Sequence, residues 1–167
     1  MVRERPRLSA VATNDLQLDD CIHLSADAQE ILGKRAADAM LYLTEGIGCG
    51  EPEIESMEIV PHACVREWSE LVIRYRNLRG SLVSAGFPSG FMTSEGDEMP
   101  SESFMQHTSL SGNEVRIRFE LRREELCRKD LWYGFGHKFY CNIADEGGHA
   151  LPSFGPLRIG EQVKEKT

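Results

Sequence analysis

The stretch LWYGFGHKFYCNIADEGGH (131–149) places five of the chain's thirteen aromatic residues within nine positions, with a histidine among them. Read as a strand, it sets Tyr133, Phe135, His137, Phe139 and Cys141 on one face. Trp132, Gly134, Gly136, Lys138 and Tyr140 fall on the other. A catalytic imidazole needs a nucleophile or a proton to act on, and a third group to orient it. Cys141 is four residues from His137, roughly 13 Å along an extended strand, which is too far for a thiolate–imidazole pair. His137 is therefore expected in the wall of the core or of a ligand pocket. Alternate glycines on the opposite face would leave room for a neighbouring ring or backbone.

The cysteines and histidines also raise metal chemistry. Cys21 and His23, like His62 and Cys64, are i,i+2 pairs that a strand would hold on one face about 7 Å apart. Two such pairs could make a Cys2His2 zinc site, but the spacing is not the CxxC of structural zinc. Neither acidic cluster (Glu51, Glu53, Glu55 and Glu58; Glu95, Asp97, Glu98 and Glu102) has the alternating oxygen ligands of a calcium loop. No metal and no cofactor are expected. The five cysteines are scattered and odd in number, which suits free thiols in a reducing cytoplasm.

The arginines give the most directional signal. In EWSELVIRYRN (67–77), Leu71, Ile73 and Tyr75 alternate with Arg74 and Arg76. In EVRIRFELRRE (114–124), Val115, Ile117, Phe119 and Leu121 alternate with Arg116, Arg118 and Arg122. Two half-buried strands result, each with one solvated face. Were they neighbours, one sheet face would carry five guanidinium groups in a protein of net charge −8. Either cross-strand carboxylates such as Glu70 and Glu120 neutralise them, or the face recognises an anion.

The elements that must position these residues follow from periodicity. SADAQEILGKRAADAMLYLTEG predicts a helix over about 25–45, capped by Ser25 or Asp27 and stopped at Gly46, with Leu32, Ala36, Ala39 and Leu43 as its apolar stripe. EIESMEIVPHACV (53–65) predicts a strand that Pro61 interrupts or places at an edge. ADEGGHA is a hairpin turn into a last strand near ALPSFGPLRIG. Residues 84–113 show no period and are read as a long loop.

The fold expected is α+β: an N-terminal helix on a curved antiparallel sheet of four or five strands, as in a cystatin-like roll. A β-sandwich with an N-terminal helix is the alternative. Residues 1–20 are read as a mobile arm, 21–160 as a single domain and 161–167 as a polar tail. No apolar run is long enough for a membrane span, and the acidic balance disfavours nucleic acid. No GxSxG, HExxH, phosphate-binding glycine loop or paired-carboxylate motif is present, so the reading leans away from an enzyme. It is instead a cytoplasmic binding or interaction protein that engages another protein or a small anionic ligand through Arg74, Arg76, Arg116, Arg118 and Arg122 and the 84–113 loop. The alternative is a small-molecule binder or enzyme with an aromatic helix–sheet pocket containing His137.

Overall fold

The computed structural model describes residues 8–136 and 140–163. His137, Lys138 and Phe139 lie outside the described residues. The period-two segments form strands as expected. Strand β1 (Glu53–Pro61) lies at an edge, then β2 (Ser69–Arg76), β6 (Glu114–Phe119) and β5 (Met105–Ser111), all antiparallel. Register aligns Met57, Ile73 and Val115 in one row and Ile59, Leu71 and Ile117 in the next. All six are buried. Each contributes about 1.5–3 kcal/mol relative to exposure, and alternation turns the intervening polar side chains outward.

The remaining strands do not extend that sheet. β3 (Leu82–Ser84) pairs with β8 (Ile143–Asp145), while β4 (Phe91–Ser94), β7 (Asp130–Tyr133) and β9 (Phe154–Arg158) form a three-stranded sheet in the order β4-β7-β9. The single curved sheet is thus replaced by three sheets sharing one core. Two one-turn helices, α2 (Arg123–Leu126) and α3 (Ile159–Gln162), complete the described elements. No helix among the described residues is long and apolar enough to cross a membrane.

The 84–113 stretch holds all of β4 and β5, which corrects its reading as a loop. Two of its apolar residues reach the core: Phe91 is buried against Tyr133 at 4.7 Å between ring centroids, and Met105 packs on the core, whereas Phe87, Met99 and Phe104 stay exposed. The 131–141 strand is shorter than its alternation suggested. It ends at Tyr133 because Gly134 takes φ +74° and Gly136 φ +100°. Trp132 and Phe135, assigned to opposite faces, meet edge-to-face at 4.9 Å as the chain turns. Space beside Gly134 is filled by Ser153, whose Oγ lies 2.2 Å from where a Cβ would sit.

Helix α1 (Ala26–Glu45) starts at Ser25, whose Oγ accepts the Ala28 N–H at 3.2 Å, and stops at Gly46 with φ +67°. Its stripe is thinner than predicted: Ala39 is buried, Leu32 and Leu43 half-buried, Ala36 exposed. Arg35, only 4% exposed, supplies much of the attachment instead. It donates to Gly148 O and Ala12 O, both at 2.8 Å, and forks onto Asp15 at 2.8 and 2.7 Å. Asn14 adds bonds to Leu151 O and Ser153 Oγ. Residues 8–20 are accordingly not a free arm; a buried guanidinium ties them to the body.

Candidate functional site

The two arginine-bearing strands are neighbours, and their outer face is interleaved with carboxylates. Arg74 Nε lies 2.9 Å from Glu114 and its Nη1 3.4 Å from Glu58. Arg76 pairs with Glu53. Arg116 contacts Glu70 through Nε at 3.0 Å and Glu114 through Nη1 at 2.9 Å. The Glu70 contact, with that to Glu114, holds the Arg116 guanidinium above its ordinary pKa. Such cross-strand pairs are the local compensation that the alternation left open. Arg118 stands opposite Glu70 and His107, its Nε buried without a hydrogen-bond partner among the described residues. Arg122 sits past the end of β6, 3.9 Å from Glu67. It joins Arg66, Arg123 and Trp68 in the wall of a concavity of about 460 Å³. His137 lies outside the described residues, so its place in a pocket wall is not described.

A different histidine has the geometry of chemistry. Leu18 and Leu24 form an antiparallel bridge, and Asp19 N–H donates to His23 O at 2.9 Å, closing a tight turn immediately before α1. Inside it, Asp20 Oδ1 accepts the backbone N–H groups of Ile22 at 2.8 Å and His23 at 2.7 Å. Its Oδ2 lies 2.7 Å from His23 Nδ1. The His23 contact, followed by those two backbone bonds, holds the Asp20 carboxyl below its ordinary pKa. An ionised carboxylate at Nδ1 selects the tautomer with its proton there and leaves Nε2 free to accept one. Both side chains are open to solvent, at 72% exposure for His23 and 52% for Asp20. The arrangement could orient an imidazole as a general base; among the described residues, no hydroxyl or thiol side chain hydrogen-bonds to His23.

Strand spacing pairs His23 with Cys21 as a metal ligand, and that reading hides its contact with Asp20. The available signal was Asp-x-x-His ahead of a helix cap: an aspartate readily caps the N–H groups two and three residues on, which brings a histidine at i+3 to its other oxygen. No group of three or more His, Cys, Asp or Glu able to hold a metal ion occurs among the described residues.

A second histidine–carboxylate cluster differs in kind. His149, 3% exposed, has Nε2 3.2 Å from Asp38 and Nδ1 3.8 Å from Asp145. Burial, then nearby Arg79, push its pKa down despite the two carboxylates. Asp145 accepts the backbone N–H groups of Arg79 and His149, both at 2.9 Å, fixing the 145–149 turn. With its ring and Asp145 buried, and Asp38 partly open at the rim, this cluster braces the turn beneath α1.

No protein-family model matches the chain, and no curated protein matches it. Among solved structures, a carbohydrate acetylesterase from Xanthomonas citri superposes on 84% of this chain, with a TM-score of 0.59 and 15% sequence identity. The likeness is one of fold. The chain spans about 30% of that esterase chain's length.

Proposed function

We propose that this chain contributes the acid–base element of an ester hydrolase acting on acetylated carbohydrate, with His23 as general base and Asp20 as its orienting partner. The observation that carries the reading is the solvent-open pair with Asp20 Oδ2 2.7 Å from His23 Nδ1. The fold likeness to part of a carbohydrate acetylesterase supports it and suggests the substrate class.

In this reading His23 Nε2 takes the proton of a nucleophilic hydroxyl as that oxygen attacks the acetyl carbonyl. The imidazolium, stabilised by Asp20, returns the proton to the departing sugar oxygen, leaving an acetylated nucleophile. Water then attacks, again giving its proton to Nε2; acetate leaves and the hydroxyl is restored. The nucleophile comes from outside the described residues, seated against the turn that carries the pair. That turn exposes apolar side chains, Ile22 at 76% and Leu18 at 46%, which suit a covered surface.

The test is acetate release from acetylated xylo-oligosaccharide by the assembled enzyme containing this chain. His23→Ala should reduce turnover by ~10²–10⁴, and Asp20→Asn should reduce kcat with little change in KM. Unchanged turnover in His23→Ala would refute the reading.

A second reading keeps the chain as a non-enzymatic binder of an anionic protein or ligand. Its support is the concavity lined by Arg66, Arg122 and Arg123 and the unpartnered Nε of Arg118. The carboxylates among Arg74, Arg76 and Arg116 weigh against using the rest of the face. Reversing Arg118 and Arg122 to Glu should abolish salt-sensitive binding to an acidic peptide while stability holds; binding that persists in the double variant would refute it.

A further inference from the structure

Asp and Glu outnumber Lys and Arg in this chain, 27 to 19, and Arg74, Arg76 and Arg116 on the outer sheet face each hold a carboxylate. Beside the β1–β2 connection that pattern breaks. Arg66 forms no ion pair or side-chain hydrogen bond among the described residues. Arg122 approaches Glu67 only at 3.9 Å, beyond hydrogen-bonding distance. Arg123 gives one N–H to Ile59 O at 2.9 Å and has no carboxylate partner among the described residues. All three line the concavity of about 460 Å³ that also contains Trp68. Guanidinium groups gathered in one hollow without close anions, in a chain with anions to spare, repel one another until something supplies the charge.

The frame of this hollow is fixed. His62 N–H donates to Trp68 O and Trp68 N–H to Val65 O, both at 3.1 Å, which closes the connection between the two strands. His62 Nδ1 accepts the N–H groups of Cys64 at 3.3 Å and Val65 at 3.1 Å. The His62 ring lies 5.5 Å from that of Trp68, bracing the indole from one side. The indole N–H itself has no partner among the described residues. Buried Ile59 and Ser69 belong to the same wall, while Arg66 and Arg122 remain exposed beside it.

We propose that this concavity binds a small phosphomonoester carrying a planar ring, its phosphate shared among Arg66, Arg122 and Arg123 and its ring laid on Trp68. The inference rests on the second reading above, that arginines here take an anion, and narrows it to one chemical class. A phosphomonoester brings close to two negative charges and three acceptor oxygens, which match three guanidinium groups better than a carboxylate does. Trp68 offers its face to a flat ring. Glu67 and Glu124 stand in the same wall. They disfavour a run of negative charges such as an acidic peptide, and they leave acceptors for a hydroxyl or ring N–H. The volume falls within the roughly 300–1,000 Å³ of small-molecule sites.

The experiment is NMR and calorimetric titration of the full 167-residue chain with phenyl phosphate and adenosine monophosphate, and with inorganic phosphate, adenosine and hexaglutamate as comparisons. At least one of the two esters should bind at millimolar concentration or below, about tenfold or more tighter than inorganic phosphate or adenosine. The shifts should centre on residues 59–69 and 122–124 and on the Trp68 indole. Tighter binding of adenosine monophosphate assigns a nucleotide; tighter binding of phenyl phosphate assigns a simple aryl ester. Arg66→Gln should weaken the ester about tenfold, the loss of one charge-assisted contact, at unchanged melting temperature because its side chain has no partner to lose. Trp68→Leu should remove the preference for the ester over inorganic phosphate. Absence of binding by both esters, equally tight binding of inorganic phosphate, or wild-type affinity in Arg66→Gln would each overturn the proposal. If hexaglutamate bound in any of those cases, and was released by Arg118→Glu with Arg122→Glu, the second reading would stand while this one fell; no binding by any of the anions would remove both.

Discussion

Replacing Arg35 by Met tests how the Asp20–His23 turn is held in place. Arg35 is buried, and its fork joins Asp15 Oδ1 and Oδ2 at 2.8 and 2.7 Å, Ala12 O at 2.8 Å and Gly148 O at 2.8 Å. Methionine retains most of the stem but leaves Asp15, whose side chain is 19% exposed, and two carbonyls without their donor. Breaking a buried pair from one side costs about 3–5 kcal/mol, because a charge stays behind in a poorly solvated place. At roughly 2–4 °C per kcal/mol for a chain of this size, the melting temperature should fall by ~6–20 °C. Urea unfolding should move to lower concentration by roughly 1–3 M. The loss is spatially specific: hydrogen exchange should accelerate first in residues 8–24, whose tether has gone, and only later in β2 and β6. Adding Asp15→Leu should recover stability, since removing both partners removes the stranded charge. A loss below ~1 kcal/mol in Arg35→Met, or uniform exchange across the chain, would refute the claim that this guanidinium anchors the segment bearing the Asp20–His23 pair.

Three further outcomes follow from particular groups. His149 is held below its ordinary pKa by burial and Arg79, so below about pH 6.5 the unfolded chain takes up a proton that the folded chain refuses; stability is present above that pH and should fall as acid is added, with the slope reduced in His149→Gln. Burial pushes the Cys141 thiol up to about 11, so iodoacetamide at neutral pH should alkylate the exposed Cys21 and Cys64 and spare Cys141 until the chain is unfolded; early labelling of Cys141, read by peptide mass, would contradict its buried position. Gly134→Ala should destabilise by ~1–3 kcal/mol in denaturant titration, since it combines a left-handed backbone with a Cβ 2.2 Å from Ser153 Oγ; a neutral effect would mean the turn relaxes freely.

What the sequence disclosed and what it hid divide along a physical line. Helix α1 and strands β1, β2 and β6 were legible because each carries its own period, and burial enforces that period locally. The pairing of β4 with β7 was not. Phe91 and Tyr133 meet across forty-odd residues, and neither segment is long enough to show an alternation of its own. The extended reading of 131–141 failed at the glycines, where composition gives the freedom to turn but not the decision to do so. The arm was misjudged for a related reason. An arginine in mid-helix looks solvated in sequence, yet Arg35 is among the most buried residues of α1, and its buried charge organises the segment before it.

The same contrast bears on the proposed site. Histidine and carboxylate meet twice, with opposite consequences. Around His149 the ring is buried among Asp38, Asp145 and Arg79, and burial with Arg79 lowers its pKa, while Asp145 and the His149 backbone fix the 145–149 turn. Around His23 the carboxylate is held by backbone N–H groups rather than by burial, so Asp20 stays ionised while the ring remains in the open. Arg35 and Asp15 anchor the chain just ahead of the turn, and the open Nε2 is compatible with the general-base role proposed above. The arginine face, more conspicuous in sequence, is the weaker functional candidate: Arg74, Arg76 and Arg116 already have their anions in Glu53, Glu58, Glu70 and Glu114, whereas His23 Nε2 has no partner among the described residues.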